Sequence, residues 1–189
     1  MIAIRNETEL DIAPREALLD AAFGDARFAK TAQRLREGRL PAAGLSFVAR
    51  ANKRLIGTVR LWDIAAGPGR AALLLGPLAV ARGFRKRGIG AQLMRYALGE
   101  AGRRGAAAVL LVGDAPYYGR FGFSAEKTGA LWLPGPYDRE RLLAHELVPG
   151  ALDGAHGRIS ATGQREPRSD RTAPVAGLSQ QSALATHAA

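Results

Sequence analysis

The stretch Arg85–Leu98, RKRGIGAQLMRYAL, decides the reading of this chain. Three cations run into a Gly-x-Gly turn, and an amphipathic pattern begins at once. A helix start that needed only a cap would use Ser, Asp or Asn there. This one offers bare backbone and positive charge. Apolar Ile89, Leu93, Met94, Ala97, Leu98 and Ala101 form one stripe, with Arg95, Glu100, Arg103 and Arg104 mostly off it, which predicts a helix stopped by Gly105. The first N–H groups of such a helix have no intrahelical partner, and its dipole adds partial positive charge, so a phosphate fits there. Gly88 and Gly90 remove the side chains that would hold a pyrophosphate away from those N–H groups, while Arg85, Lys86 and Arg87 add full charges.

The flanks set the frame. Upstream, AALLLGPLAV (Ala71–Val80) is a nearly continuous apolar run, as expected of a central strand. Gly76–Pro77 interrupts it. Proline cannot donate to a ladder, so this strand should be distorted or splayed halfway. Before it, LSFVARANKRLIGTVRLWDI (45–64) reads as two strands joined by a turn at Asn52–Lys53. Ile2–Leu10 predicts a first strand and Pro14–Phe23 a helix; Phe28, Ala32 and Leu35 share one face of a second helix ended by Gly38 and Pro41. Downstream, AAAVLLVG (106–113) is a fifth, buried strand, and PYYGRFGF (116–123) a short helix or turn. ALWLPGPYDRERLLAHELVPG (130–150) supplies further short strands.

Beyond Gly157 the chain turns rich in Ser, Thr, Ala and Gln and holds no aromatic residue, so residues 158–189 are expected to be a disordered tail on a domain spanning 1–157. The formal charge is +10. Residues 1–150 hold 23 Lys and Arg against 14 Asp and Glu, so the basicity belongs to the domain. The absence of cysteine excludes disulfides, thiolate metal sites and a cysteine nucleophile, and His145, His156 and His187 are too scattered for a metal cluster. No run reaches the roughly 18 apolar residues of a membrane span, and the charged N-terminus lacks the apolar core of a secretory signal. A soluble, cytoplasmic protein is expected.

The turn lacks Gly-x-x-x-x-Gly-Lys-Ser/Thr, so it is not a Walker loop. A dinucleotide fingerprint would need a third small residue where Leu93 stands. What fits is Arg-x-x-Gly-x-Gly, at Arg85, Gly88 and Gly90. This resembles the acetyl-CoA signature Gln/Arg-x-x-Gly-x-Gly/Ala of the GNAT N-acetyltransferase superfamily. LGPLAVARGFRKRGIGAQLM (75–94) followed by VLLVGDAPYYGRFGF (109–123) is similar to its YhbS-like branch in wording and spacing, and the likeness extends over roughly residues 1–157. The resemblance implies an α/β (mixed α+β) fold: a mixed, mostly antiparallel sheet flanked by helices, whose central fourth and fifth strands splay apart around the CoA pantetheine. Leu78, Ala79 and Val80 would pair with pantetheine amides through their backbone. The turn Arg85, Lys86, Arg87, Gly88, Ile89, Gly90 and Ala91 would hold the pyrophosphate.

Acetyl transfer to an amine needs a deprotonated amine, a stabilised oxyanion and a protonated leaving thiolate. Tyr118 matches the family's tyrosine that serves as general acid, and a backbone N–H near Leu78–Val80 would meet the oxyanion. The strand 71–80 carries no carboxylate, which leaves Asp63 and Asp114, at predicted strand ends, as weak base candidates. A lysine amine costs about 4–5 kcal/mol to deprotonate at pH 7, whereas an α-amino group costs about 1, so a low-pKa amine is the easier acceptor. The resulting expectation is direct transfer from acetyl-CoA to a primary amine of a small molecule or protein. The alternative is a non-catalytic acetyl-CoA-binding sensor of the same fold. GRFGFS is unlike the aromatic RNA-recognition strand because Phe121 directly follows Arg120, so no nucleic acid partner is expected. A homodimer stays open.

Overall fold

A computed structural model describes residues 2–167. Strand β1 (Ile2–Asn6) leads into helix α1 (Ile12–Phe23) and the single turns α2 (Ala26–Ala29) and α3 (Thr31–Arg34). Strands β2 (Ser46–Ala51), β3 (Arg54–Ala66) and β4 (Ala71–Val80) precede the long helix α4 (Ile89–Arg103). Then follow β5 (Ala108–Val112), the turn α5 (Ala115–Tyr118), β6 (Leu131–Trp132), β7 (Leu142–Glu146) and β8 (Gly157–Ala161). The sheet runs β1-β2-β3-β4-β5-β7, with β8 joining the far end of β3 and β6 joining β8. Its neighbours are antiparallel except β4–β5 and β6–β8.

The interruption at Gly76–Pro77 acts where expected. The β3–β4 register passes from Leu61↔Leu75 to Val59↔Leu78, so Gly76 and Pro77 both stand opposite Arg60 as a bulge. Parallel pairing of β4 with β5 is confined to Leu73↔Val109 and Leu74↔Leu110. Past the bulge the two strands part, leaving a gap in the middle of the sheet.

Both sheet faces are covered. The α4 stripe of Ile89, Leu93, Met94, Ala97 and Ala101 is buried against Phe47, Val59, Leu61, Leu73, Leu75, Val109 and Leu111. On the opposite face, Leu18 and Leu19 of α1 pack on Val48, Leu55 and Ala79, while Trp62, Ile64, Leu74 and Leu110 are covered by Leu35, Leu131, Leu152 and Ile159. The alternation of Leu73, Leu74 and Leu75 between faces follows from the two-residue period of a strand.

Three expectations need correction. β1 ends at Asn6 rather than Leu10, because the buried Asp11 carboxylate accepts from the Thr8 N–H at 3.0 Å and hydroxyl at 2.9 Å and turns the chain into a short capped turn. The helix expected across Phe28–Leu35 is broken at Lys30, whose ψ of 134° is extended. There the Thr31 hydroxyl donates to the Pro136 carbonyl, a tertiary tie that outweighs helix continuation, and Phe28 is left exposed under the Arg27 guanidinium. Third, the ordered domain does not stop at 157. β8 pairs with β3 through Ile64↔Ala161 and Ala66↔Ile159, with Ile159 fully buried. Of the expected tail, residues 168–189 lie outside the described residues.

Candidate active site

The splay leaves the second half of β4 with a free edge. The Ala81 N–H donates to the Ile56 carbonyl at 2.8 Å, so that position faces β3. Backbone polar groups alternate sides along a strand, which turns Ala79 to β3 as well and points those of Leu78 and Val80 into the gap. The Val80 carbonyl accepts from Arg85 Nε at 3.1 Å, anchoring the basic turn to the strand.

A cleft of about 590 Å³ opens here between β4, the start of α4 and α5. Leu78, Val80, Arg85, Lys86, Gly88, Ile89, Gly90 and Ala91 all line it. Two expected positions do not. Ala79 is buried on the opposite face against α1, and Arg87 lies away with its guanidinium 5.4 Å from the Phe84 ring centroid. Phe84, Asp114, Tyr117, Tyr118 and Arg120 complete the lining. Arg120 sits over the Tyr117 ring at 4.1 Å and adds a third cation to Arg85 and Lys86. Its signal was present in PYYGRFGF, but nothing local said that Tyr117 and Arg120 would face α4.

The start of α4 is open to an anion. The Gln92 N–H closes the first helical bond to the Gly88 carbonyl at 2.9 Å, and no side chain caps the helix. The N–H groups of Ile89, Gly90 and Ala91 are therefore unclaimed by the helix. Gly88, with φ +76°, adopts the left-handed conformation that turns the chain into the helix, which a side chain would strain.

Tyr118 stands at the gap. Its ring lies on Gly113, where an added Cβ would overlap ring carbons Cε2 and Cδ2. Edge-on contacts with Tyr117 at 4.9 Å and Phe123 at 6.1 Å hold it in place. Burial, then the neighbouring Tyr117 and Asp114, push its phenol up to about 12. The hydroxyl therefore stays protonated across the neutral range. Among the described residues it has no hydrogen-bond partner in the protein.

On the far side of the gap lies a second, larger cleft of about 840 Å³, walled by α1, the α2–α3 turns, the bulge and the 133–141 loop. Leu78, Asp114 and Tyr118 line both clefts. The Asp114 carboxylate is paired with Arg141 at 3.0 Å. Asp63 lines neither; it is exposed near the end of β3, where its carbonyl accepts from Thr162 and Gly163. Trp62 Nε1 donates to the Gly76 carbonyl at 2.6 Å and fixes the bulge from this side. Among the described residues no cluster of three metal-ligating side chains occurs, and no helix is long and apolar enough to cross a membrane.

The splayed mixed sheet with its basic Gly-x-Gly turn at a helix start agrees with the resemblance that the sequence carries. The model of the acetyltransferase (GNAT) domain matches residues 42–125, from just before β2 through the turn after Tyr118. The chain belongs to the GNAT acetyltransferase family. It is 31% identical over 158 residues to the uncharacterized N-acetyltransferase YhbS of Escherichia coli K12, covering 82% of this chain and 93% of YhbS. The crystal structure of E. coli YhbS in complex with CoA matches with a TM-score of 0.72 at 30% identity, over 85% of this chain and 89% of that one. A GNAT acetyltransferase of Brucella melitensis, solved with acetyl-CoA, shares the fold with a TM-score of 0.64 at 24% identity, over 86% of this chain and 96% of that one.

Proposed function

We propose that this chain is an acetyl-CoA-dependent N-acetyltransferase that passes the acetyl group directly to a primary amine. The observation that carries the reading is Tyr118, lining both a cleft with a free strand edge and an open helix start, and a second cleft with room for an acceptor. The amine nitrogen attacks the thioester carbonyl carbon, the C–S bond breaks, and the sulfur takes a proton.

The residues divide this work. Backbone groups of Leu78 and the Val80 N–H pair with the pantetheine amides, and an N–H of this edge meets the oxygen that gains charge. Arg85, Lys86 and Arg120, with the N–H groups of Ile89, Gly90 and Ala91, hold the pyrophosphate. The Tyr118 hydroxyl donates to the sulfur as it leaves. Asp114, the one carboxylate common to both clefts among the described residues, is placed to accept the amine's proton, directly or through water. Because that carboxylate is already held by Arg141 at 3.0 Å, an amine that is largely neutral without help is the easier acceptor.

The test is thermal unfolding with increasing acetyl-CoA beside AMP and ADP. A ligand at about 100 times its Kd adds about 2.7 kcal/mol, which for a chain of this size raises Tm by roughly 5–11 °C. Acetyl-CoA should give that rise and the nucleotides much less. No shift at millimolar acetyl-CoA overturns the assignment.

A further inference from the structure

We propose that the acceptor amine carries an oxyanion, a carboxylate or a phosphate, and that Arg36 and Arg60 bind it in the second cleft. This rests on the acetyltransferase reading and adds the class of acceptor.

Charged side chains line much of the cleft, and most of them are spoken for. Arg27 pairs with Glu16 at 2.6 Å and Asp20 at 2.8 Å, and Arg15 pairs with Glu7 and with Glu16 at 2.8 Å. Arg141 holds Asp114, and Lys30 lies over the Phe23 ring. Glu37, Asp138 and Glu166 are exposed at the rim. Arg36 is left over outright and Arg60 nearly so, its guanidinium lying over the Trp62 ring at 4.9 Å. Arg60 reaches its nearest carboxylate, Glu16, only at 3.9 Å, and that carboxylate is already shared by Arg15 and Arg27. Arg36 makes no ion pair and no side-chain hydrogen bond among the described residues.

Neither guanidinium is in open water. The Nε atoms of both are buried without a partner. Burial pushes Arg36 and Arg60 down to about 10; like charges push the same way, those of Arg60 and Arg27 on Arg36 and those of Arg15 and Arg27 on Arg60, where Glu7 and Glu16 act in opposition. Partly buried cations with no carboxylate in close contact are costly in a folded protein. An entering oxyanion would remove that cost, and the planar guanidinium fork matches a carboxylate or phosphate in both shape and charge.

Their position selects an acceptor rather than a remote ligand. Arg36 Nη1 lies 3.8 Å from where a Cβ on Gly76 would stand, so the guanidinium faces the bulge at which β4 leaves β5. Arg60 is the residue directly across from that bulge. Leu78, which lines both clefts, is two residues further along, roughly 7 Å of strand. An oxyanion held by Arg36 and Arg60 therefore sits a few bonds from an amine aimed into the gap beside Tyr118.

The experiment uses the full chain and matched amine pairs: the common amino acids against their amides, O-phosphoethanolamine against ethanolamine, and tripeptides with free against amidated C-termini. Thiol release from acetyl-CoA gives kcat and KM, and calorimetric titration in saturating CoA gives affinity without turnover. The expected result is at least one anionic member favoured about tenfold or more over its neutral partner, carboxylate and phosphate arms telling the two groups apart. Arg36→Gln should raise that acceptor's KM by roughly 10- to 100-fold, with Arg36→Lys recovering part of the loss. The acetyl-CoA thermal shift measured on Arg36→Gln establishes that the variant is folded. Neutral partners used or bound as well as anionic ones, no anionic member bound or used, or an unchanged KM in Arg36→Gln overturns the proposal while the acetyltransferase reading stands. An absent acetyl-CoA shift in the unaltered chain overturns both.

Discussion

Gly88→Glu separates the occupancy of the α4 start from its geometry. Gly88 holds φ +76° and ψ −1° at the helix N-cap, and a non-glycine residue there costs about 1–2 kcal/mol. An added Cβ meets nothing nearer than Gln92 Nε2 at 4.0 Å, so the space is free and strain is the whole penalty for Gly88→Ala. That penalty lowers Tm by roughly 2–8 °C. In Gly88→Glu the carboxylate near a helix start returns about 0.3–1 kcal/mol, so the glutamate variant unfolds no lower than the alanine one. Binding behaves oppositely. Two unit charges about 4 Å apart near a surface repel by roughly 4 kcal/mol, and a loss of even about 2.7 kcal/mol is a hundredfold in Kd. Acetyl-CoA at about 100 times the original Kd then sits near the new Kd, and its stabilisation falls from about 2.7 to about 0.4 kcal/mol. Thermal unfolding with and without acetyl-CoA reads both effects from one pair of curves. The expected pattern is an alanine variant with lower Tm and a retained ligand shift, and a glutamate variant with a nearly lost shift. A glutamate variant that keeps the full shift refutes the placement of the pyrophosphate at this helix.

Tyr118→Phe should lower kcat by about 10²- to 10⁴-fold with acetyl-CoA affinity unchanged; an unaltered kcat removes Tyr118 as the acid. Gly113→Ala should imitate it in steady-state kinetics, because the new Cβ would occupy the place of the Tyr118 ring edge. Asp11 is fully buried: burial pushes its carboxyl up, but hydrogen bonds from Arg5 and Thr8 outweigh this and hold it at about 2. Its folded value lies below the ordinary one, so the unfolded chain binds the proton more readily. Its contribution, about 2–3 kcal/mol, is complete above pH 4 and is lost as pH falls through 2. Asp11→Asn should flatten acid unfolding in that window and lower Tm by at least about 6 °C at pH 7.

What the chain announced in advance was carried by local chemistry. The helix stripe from Ile89 to Ala101, the apolar run 71–80 and the donorless Pro77 each act within a few residues, so their consequences could be read without knowing the partner strands. The broken helix at Lys30 could not, because the Thr31–Pro136 contact that competes with it joins segments 105 residues apart in sequence. β8 carries little local signal, because its alternation is short and its neighbours are polar; only pairing with the end of β3 buries Ile159. The same limit applied to the site. The basic turn was visible as a motif, whereas Arg15, Arg27, Arg36 and Arg60 lie in three separate segments and read singly as surface charge. Their convergence is a property of the packing of α1 and the 26–36 segment on the sheet.

The bulge links these features. Leu73 and Leu75 point to the α4 face, and strict alternation would send Leu78 to the other. The extra residue opposite Arg60 shifts the phase by one, so Leu78 and Val80 return to the α4 face while Ala79 points toward α1. The same shift turns the Leu78 and Val80 backbone into the gap. On β3, where no residue is added, Arg60 points to the α1 face between the α4-facing Val59 and Leu61. Two adjacent strands thus present bare backbone on one side of the opening and a guanidinium on the other. In the proposed reaction, donor and acceptor enter from opposite faces of the sheet and meet in the gap beside Tyr118. In that proposal transfer is direct: neither substrate has to leave before the other binds, and the chain holds no cysteine to carry the acetyl group between them.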